Sequence, residues 1–230
     1  MRALVLIGSV AEGGFCPESD IDLLCVKKGK TPWEEQRKIH EPLDSLVQLI
    51  FFDEATFNFH FEKRTTMAHS IKKGIVLYEV EEFVSNILSK EMGPPDKEWM
   101  KNWTLHWLRF YQYGVDDIER SKEWHQKYCD EECICHINDI IARVVVNFSI
   151  LFLETHGIVP TTKSQIQRHF EMKINDEKLV AGMRLSLIIS RQGRYLSYEE
   201  ALSVAHVAKK LRTELISNLG LTCEDLMSKE

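Results

Sequence analysis

The sequence lacks the features that place a chain in or across a membrane. A spanning helix needs about 20 nearly unbroken apolar residues, and the longest candidate, residues 140–152, is interrupted by Arg143 and Asn147. The apolar stretch before Gly8 is too short for a secretory signal peptide, and no cleavage site follows it. These absences predict a cytoplasmic protein that has no membrane partner.

The sequence also lacks the excess of positive charge that nucleic-acid-binding proteins use. It has 29 Lys and Arg against 35 Asp and Glu, for a net charge of −6 over 230 residues. A negative net charge gives no bulk attraction for a polyanion. Nucleic acid is therefore disfavoured as a partner.

The six cysteines fit a cytosolic protein better than a disulfide framework, and Cys16, Cys25 and Cys223 are scattered along the chain. The other three, Cys129, Cys133 and Cys135, lie beside His136. Three thiolates and one imidazole are the four ligands that a tetrahedral zinc site needs. Structural zinc sites, however, usually combine two short ligand pairs that are far apart in sequence. The crowding of all four side chains into eight residues favours free thiols.

The strongest break in the chain is the run Gly93-Pro94-Pro95, which no helix can continue through. Short apolar runs separated by turns precede it, and long amphipathic patterns follow it. The sequence predicts an α+β protein, with a small mixed-sheet domain over residues 1–92 and an all-α helical bundle over residues 97–220.

The pattern upstream of the break predicts four strands and four helices. The predicted strands are residues 3–7, 21–26, 46–52 and 75–79, and the predicted helices are residues 32–43, 54–61, 66–74 and 80–91.

The pattern downstream predicts about five helices. The first is the one beginning near residue 97, and the others are residues 131–156, 161–171, 176–190 and 198–218. Trp99, Trp103, Trp107, Tyr111 and Val115 recur at a spacing of four in the first of these helices. The regular interleaving of aromatic and basic residues that binds nucleic acid does not accompany them, so we interpret this stripe as core.

The segment from Gly8 to Val26 carries the chemistry of the first domain. A strand ends at Gly8-Ser9, a glycine-rich turn follows, and the next strand opens with Asp20-Ile-Asp22. Residues i and i+2 of a strand share a face, so the two carboxylates project together and suit a hard divalent cation such as Mg²⁺. Gly8 permits close approach of the backbone to phosphate oxygens, and the Ser9 hydroxyl can donate to them. A magnesium nucleoside triphosphate fits these groups.

A Gly-Ser pair, ten intervening residues and an Asp-x-Asp on an apolar strand resemble the minimal nucleotidyltransferases of the DNA polymerase β superfamily, related to kanamycin nucleotidyltransferase. The resemblance covers residues 4–80. It implies that Gly8 and Ser9 bind the nucleotide, and that Asp20 and Asp22 are the catalytic residues and bind the metal. The implied reaction moves a nucleotidyl group from a nucleoside triphosphate to a hydroxyl of an unidentified small molecule or protein.

Two residues depart from the family pattern. The third carboxylate of the family falls in the middle of the next strand, where this chain has Gln48. An amide cannot act as a base, so we expect transfer to suffer more than nucleotide binding. Glu12 stands where the loop usually carries a basic residue, and we expect it to repel phosphate. These departures leave open a weakened nucleotidyltransferase-fold binding module that acts through its helical domain.

The helical half resembles the HEPN class of bundles, which accompany minimal nucleotidyltransferases. Nuclease members of that class use an Arg-x4–6-His pair, and Arg120 and His125 have this bare spacing. A HEPN-type ribonuclease therefore remains a second alternative. Relatives that modify aminoglycosides take a base from the helical domain, and Glu154 is the candidate here. Association into a homodimer is also left open.

Overall fold

The computed structural model of the chain describes residues 1–14, 20–116, 118, 137–192 and 196–227. The chain divides into two compact units, Met1–Asp96 and Lys97–Glu230. The first holds a mixed four-stranded sheet and the second is helical, so the predicted α+β class is confirmed. The cluster of three cysteines and His136 at 129–136 and the pair Arg120 and His125 lie outside the described residues.

The first unit has four strands, β1 (Ala3–Ile7), β2 (Ile21–Lys27), β3 (Val47–Asp53) and β4 (Ile75–Glu79). They form one sheet in the order β3-β2-β1-β4. Strand β2 pairs parallel with β3, whereas β1 pairs antiparallel with both β2 and β4. Strand β1 therefore ends at the same end of the sheet at which the other three strands begin.

Helices of the first unit pack on the sheet. They are α1 (Gly8–Ala11), α2 (Trp33–His40), α3 (Glu54–Glu62), α4 (Thr66–Lys72) and α5 (Ser85–Leu88). Alternate residues of the strands supply the core on one face, where they meet α3, α4 and α5. The fully or almost fully buried members of this core are Ala3, Val5, Ile7, Leu24, Val26, Phe57, Ile71 and Val84.

The predicted helix over 80–91 is wrong for most of its length. Glu81 and Glu82 have φ values of 57° and 50°, a left-handed conformation that a right-handed helix cannot contain. The Glu79 carboxylate accepts hydrogen bonds from the backbone N–H groups of Val84 and Ser85, both at 2.9 Å, and from the Ser85 hydroxyl. This local hydrogen bonding stabilises a turn, and only α5 remains helical.

The described helices of the second unit are longer. They are α6 (Lys97–Tyr111), continued by a π-helical turn at Gln112–Asp116, then α7 (Ile137–Thr155), α8 (Lys163–Lys173), α9 (Glu177–Gln192), α10 (Tyr198–Leu219) and α11 (Cys223–Met227). A capping box begins α10, with Ser197 and Glu200 each bonding the other's backbone N–H. Within the described residues, no helix is long and apolar enough to cross a membrane.

The interpretation of the tryptophan stripe as core is confirmed in part, because Tyr111 and Val115 are buried and Trp99 and Trp107 pack against the core. The side chains that α6 buries are Met100, Thr104, Leu108 and Tyr111. Trp103 is 36% exposed. A spacing of four advances about 40° beyond a full turn at each step, so such a stripe rotates away from any fixed core direction. The buried residues are spaced by four, four and three, which keeps them facing the bundle.

Candidate functional site

The register of the sheet brings the turn after β1 beside the starts of β2 and β3. Ile7 pairs with Asp22 across the antiparallel strands, and Asp22 pairs with Gln48 across the parallel ones. Residues at paired positions point to the same face of a sheet. Gly8, Asp22 and Gln48 therefore lie next to one another at one end of the sheet.

Gly8 is in direct contact with the carboxylate of Asp22. A Cβ built on Gly8 would lie 2.7 Å from Oδ2 of Asp22, closer than such atoms approach each other. The φ of Gly8 is +75°, which also favours glycine. A side chain at position 8 would therefore strain the turn and force the Asp22 carboxylate to shift.

Asp20 stands immediately before β2, two residues from Asp22. Its strand is anchored to β3 from the outset, because the Ile21 N–H donates to the Leu46 carbonyl at 2.7 Å. Asp20 and Asp22 are both half-buried, and Gln48 is exposed. An extended chain directs residues 20 and 22 to the same side. Both carboxylates accordingly lie at the sheet end that carries Gly8.

This donor set fits one magnesium ion that shares its ligands with phosphate. Mg²⁺ typically takes one or two protein carboxylates and completes its shell with water and substrate phosphates. Asp20 and Asp22 supply two carboxylates, and Gln48 adds an amide oxygen. Among the described residues, no group of three or more His, Cys, Asp or Glu side chains could hold a metal ion. Gln48 is a neutral amide, so the carboxylates that the register brings to this end of the sheet are those of Asp20 and Asp22.

Asp53 does not replace the missing carboxylate. It ends β3, whereas Gln48 lies near the beginning of the strand, and five residues of extended chain separate the two by about 16 Å. Its carboxylate accepts a hydrogen bond from the Thr56 N–H at 2.7 Å and caps α3. The interaction with Thr56 lowers the pKa of Asp53. This acid has a structural task at the opposite end of the sheet.

The turn that carries Ser9 is closed by its own backbone. The Gly14 N–H donates to the Ser9 carbonyl at 2.8 Å, and the Glu12 N–H donates to the Gly8 carbonyl at 3.2 Å. Gly13 has a φ of +73° and no atom within 4 Å of a built Cβ. The half-buried Ser9 therefore belongs to a compact turn that begins beside Asp22.

The charge of Glu12 is offset in a way that the sequence did not reveal. Its Oε2 lies 3.3 Å from Nζ of Lys73, and the two side chains are 14% and 44% exposed. We expected Glu12 to repel phosphate, and its ion pair with Lys73 weakens that repulsion. Glu12 and Lys73 are far apart in sequence. Their proximity follows from the sheet, because Lys73 precedes β4, the strand that pairs with β1.

His69 lies on α4 one turn before Lys73 and is half-buried. Burial is the main cause that lowers its pKa, and the nearby charge of Lys73 lowers it further. A histidine with a lowered pKa is neutral near pH 7. The positive charge on this side of the turn is thus concentrated on lysine.

Glu154 lies in the second unit, near the end of α7, and is only 3% exposed. An acid on a helix surface is normally solvated, so this burial is unusual for a glutamate. Its assignment as a base remains a prediction.

A groove of about 630 Å³ lies on the other face of the sheet, between α2 and β3. Its apolar wall contains Leu49 and Phe51. These residues have odd positions in β3, so they face away from Gln48. The remaining side chains that line it are Trp33, Gln36, Arg37, His40 and Glu41. No pattern in the sequence indicates this groove, which is separate from the carboxylates of Asp20 and Asp22.

Comparison with known proteins supports the likeness of the first unit. Residues 1–83 match the family described as "Polymerase beta, Nucleotidyltransferase". No curated protein matches the chain. Among solved structures, a nucleotidyltransferase-like protein from Exiguobacterium sibiricum 255-15 aligns with all of this chain and 74% of its own, at 12% identity and a TM-score of 0.46. The family likeness is thus that of residues 1–83 to a polymerase β nucleotidyltransferase domain.

Proposed function

We propose that the chain transfers a nucleotidyl group from a magnesium nucleoside triphosphate to a hydroxyl of a small molecule or protein. One observation carries the proposal: Gly8, Asp22 and Gln48 lie side by side at one end of the sheet, with Asp20 two residues from Asp22. A nucleotide-binding turn and a metal-binding acid pair have to be adjacent if one ligand is to use both. The match of residues 1–83 to the family supports the same activity.

Each group at the site has a role in this proposal. Gly8 and Ser9 bind the phosphates, because the turn offers exposed backbone and a hydroxyl without a bulky side chain. Asp20 and Asp22 hold Mg²⁺, which would offset charge on the phosphates when it is bound. The acceptor oxygen attacks the α-phosphorus and forms a new P–O bond, and the bond from that phosphorus to pyrophosphate breaks.

The proton of the acceptor hydroxyl has to be taken up elsewhere than at position 48. The Gln48 side chain is a neutral amide and does not accept a proton near pH 7. We assign this task to solvent. A missing base of this kind slows transfer and leaves nucleotide binding largely intact.

Gln48 also supports a second candidate function. Its place beside Asp22 is where a third carboxylate would bridge to a further ion, and two carboxylates still suffice to hold one magnesium nucleotide. The chain would then bind nucleotide without efficient transfer and act through its helical unit on a partner.

A nucleotide titration tests what both candidates share. Wild-type protein and Asp20→Ala/Asp22→Ala are titrated with ATP and with GTP, with and without Mg²⁺. Saturable Mg²⁺-dependent binding to wild type and its loss in the double variant are expected. Glu34→Ala is the matched control, since Glu34 is an exposed acid on α2, away from the site. If wild type binds no nucleotide at millimolar concentration, both candidates are rejected.

Release of pyrophosphate separates the two candidates. A transferase releases it from ATP or GTP at a rate that depends on Asp20 and Asp22, whereas a binding module retains the intact triphosphate. Measurement of pyrophosphate with wild type and the double variant therefore decides between them.

A further inference from the structure

Lys73 lies at the same end of the sheet as the proposed nucleotide site. It precedes Gly74 and strand β4, whose first residue, Ile75, pairs with Leu6 near the end of β1. A Cβ on Gly74 would lie 2.7 Å from the Leu6 carbonyl oxygen, so the chain there passes directly against β1. Lys73 is thus held beside the point where β1 leads into the turn at Gly8.

The ammonium group of Lys73 reaches this turn. Its Nζ lies 3.3 Å from Oε2 of Glu12, the residue before the Gly13-Gly14 pair. The Lys73 side chain is nearly half exposed, whereas that of Glu12 is mostly buried. Solvent reaches the lysine end of this ion pair and screens the interaction there.

Neighbouring basic side chains are engaged in a different way. Lys72 donates to the Leu88 carbonyl at 2.7 Å and to the Lys90 carbonyl, which ties α4 to the end of α5. Arg64 donates to the Pro94 carbonyl at 2.6 Å. These cations stabilise the backbone, whereas the cation of Lys73 meets the side chain of a turn residue.

The negative charge at the proposed site favours a nearby cation such as the Lys73 ammonium. Asp20 and Asp22 are acidic, a triphosphate carries several negative charges, and one divalent ion offsets only part of that total. Glu12 adds a further negative charge at the turn. A lysine ammonium is a compact point charge that binds phosphate well.

We infer that Lys73 is a phosphate-binding residue for a nucleoside triphosphate, and that Glu12 holds its ammonium at the turn until the nucleotide displaces the carboxylate. The inference rests on the proposed function and adds a residue to its binding site. Lys73 would contact the triphosphate and leave the base and sugar to other groups. Glu12 is a positioning residue that competes with the ligand.

Three ligands and two charge variants test this. Wild type, Lys73→Gln and Glu12→Gln are titrated calorimetrically with ATP, inorganic tripolyphosphate and AMP, each with Mg²⁺. We expect Lys73→Gln to weaken ATP and tripolyphosphate about tenfold or more, the usual loss for a charged hydrogen bond, and to change AMP far less. Glu12→Gln should tighten ATP a fewfold, because the competing carboxylate is gone. Lys73→Arg keeps the charge and should retain most of the affinity.

Lys28→Gln is the matched control, because Lys28 is exposed and follows β2 at the opposite end of the sheet. Equal ATP affinity in wild type and Lys73→Gln would overturn the inference and leave the proposed function standing. Parallel losses in Lys73→Gln and Glu12→Gln would also overturn it, because they would show a purely structural ion pair. If wild type binds neither ATP nor tripolyphosphate, the proposed function itself fails.

Discussion

Asp22 and Gln48 occupy directly paired positions on the parallel strands β2 and β3. Their side chains leave the sheet on the same face, beside the turn that begins at Gly8. The carboxylate of Asp22 is thus adjacent to a neutral amide. A carboxylate at position 48 would bind more positive charge together with Asp22, and it would also provide a base. This pairing is the chemical reason to separate nucleotide binding from nucleotide transfer in this chain.

Gln48→Asp tests that separation. A third carboxylate beside Asp22 supplies charge and a proton acceptor, and general-base catalysis typically contributes about 10²- to 10⁴-fold. We expect pyrophosphate release from ATP to rise by orders of magnitude, with water as the acceptor if no better one is known. Gln48→Asn is the neutral control and should stay at the wild-type rate. Robust transfer by wild type that does not change in Gln48→Asp would rule out a weakened site.

Gly8→Ala is expected to disturb both the turn and Asp22. A left-handed conformation costs a non-glycine residue about 1–2 kcal/mol, and the new Cβ would also meet Oδ2 at 2.7 Å. Gly13→Ala is a close control, because Gly13 has a similar φ of +73° and open space around its Cβ. Both variants should lose stability in denaturant unfolding, and Gly8→Ala alone should also weaken Mg-ATP binding strongly. Equal binding in the two variants would mean that the contact with Asp22 is unimportant.

Local patterns in the sequence predict the strands well and the contacts between distant segments poorly. The bounds of β1 and β4 agree with the structure, because apolar runs bordered by turn residues are a local signal. The contact between Gly8 and Asp22 and the ion pair of Glu12 with Lys73 depend on register. The Asp-x-Asp spacing predicts which side chains share a face, but it does not indicate what lies opposite them.

His60 should make the stability of the first unit depend on pH. Its ring stacks on Phe52 with centroids 4.8 Å apart, and its Nδ1 lies 2.8 Å from Oγ1 of Thr65. Burial lowers the pKa of His60. The unfolded chain therefore binds a proton more readily, and stability falls as the pH drops from the ordinary histidine value through the lowered one. Above that window the group has no effect.

His60→Phe keeps the ring and removes the titration, so its melting temperature should fall less than that of wild type between pH 7.5 and pH 5. His40→Phe is the control, since His40 is exposed on α2 and should leave the wild-type pH dependence in place. The same pH dependence in His60→Phe and wild type would show that other groups cause it.

The two faces of α6 predict very different costs of mutation. Leu108 is 7% exposed, and removal of a buried leucine typically costs about 2–5 kcal/mol. Trp103 is 36% exposed, and its main contact is a stacked ring of His106 at 4.8 Å, so Trp103→Ala should cost only about 0.5–1.5 kcal/mol. Denaturant unfolding of the full chain, followed by far-UV circular dichroism, measures both. A larger loss in Trp103→Ala than in Leu108→Ala would place the core on the tryptophan stripe, as its spacing of four had suggested.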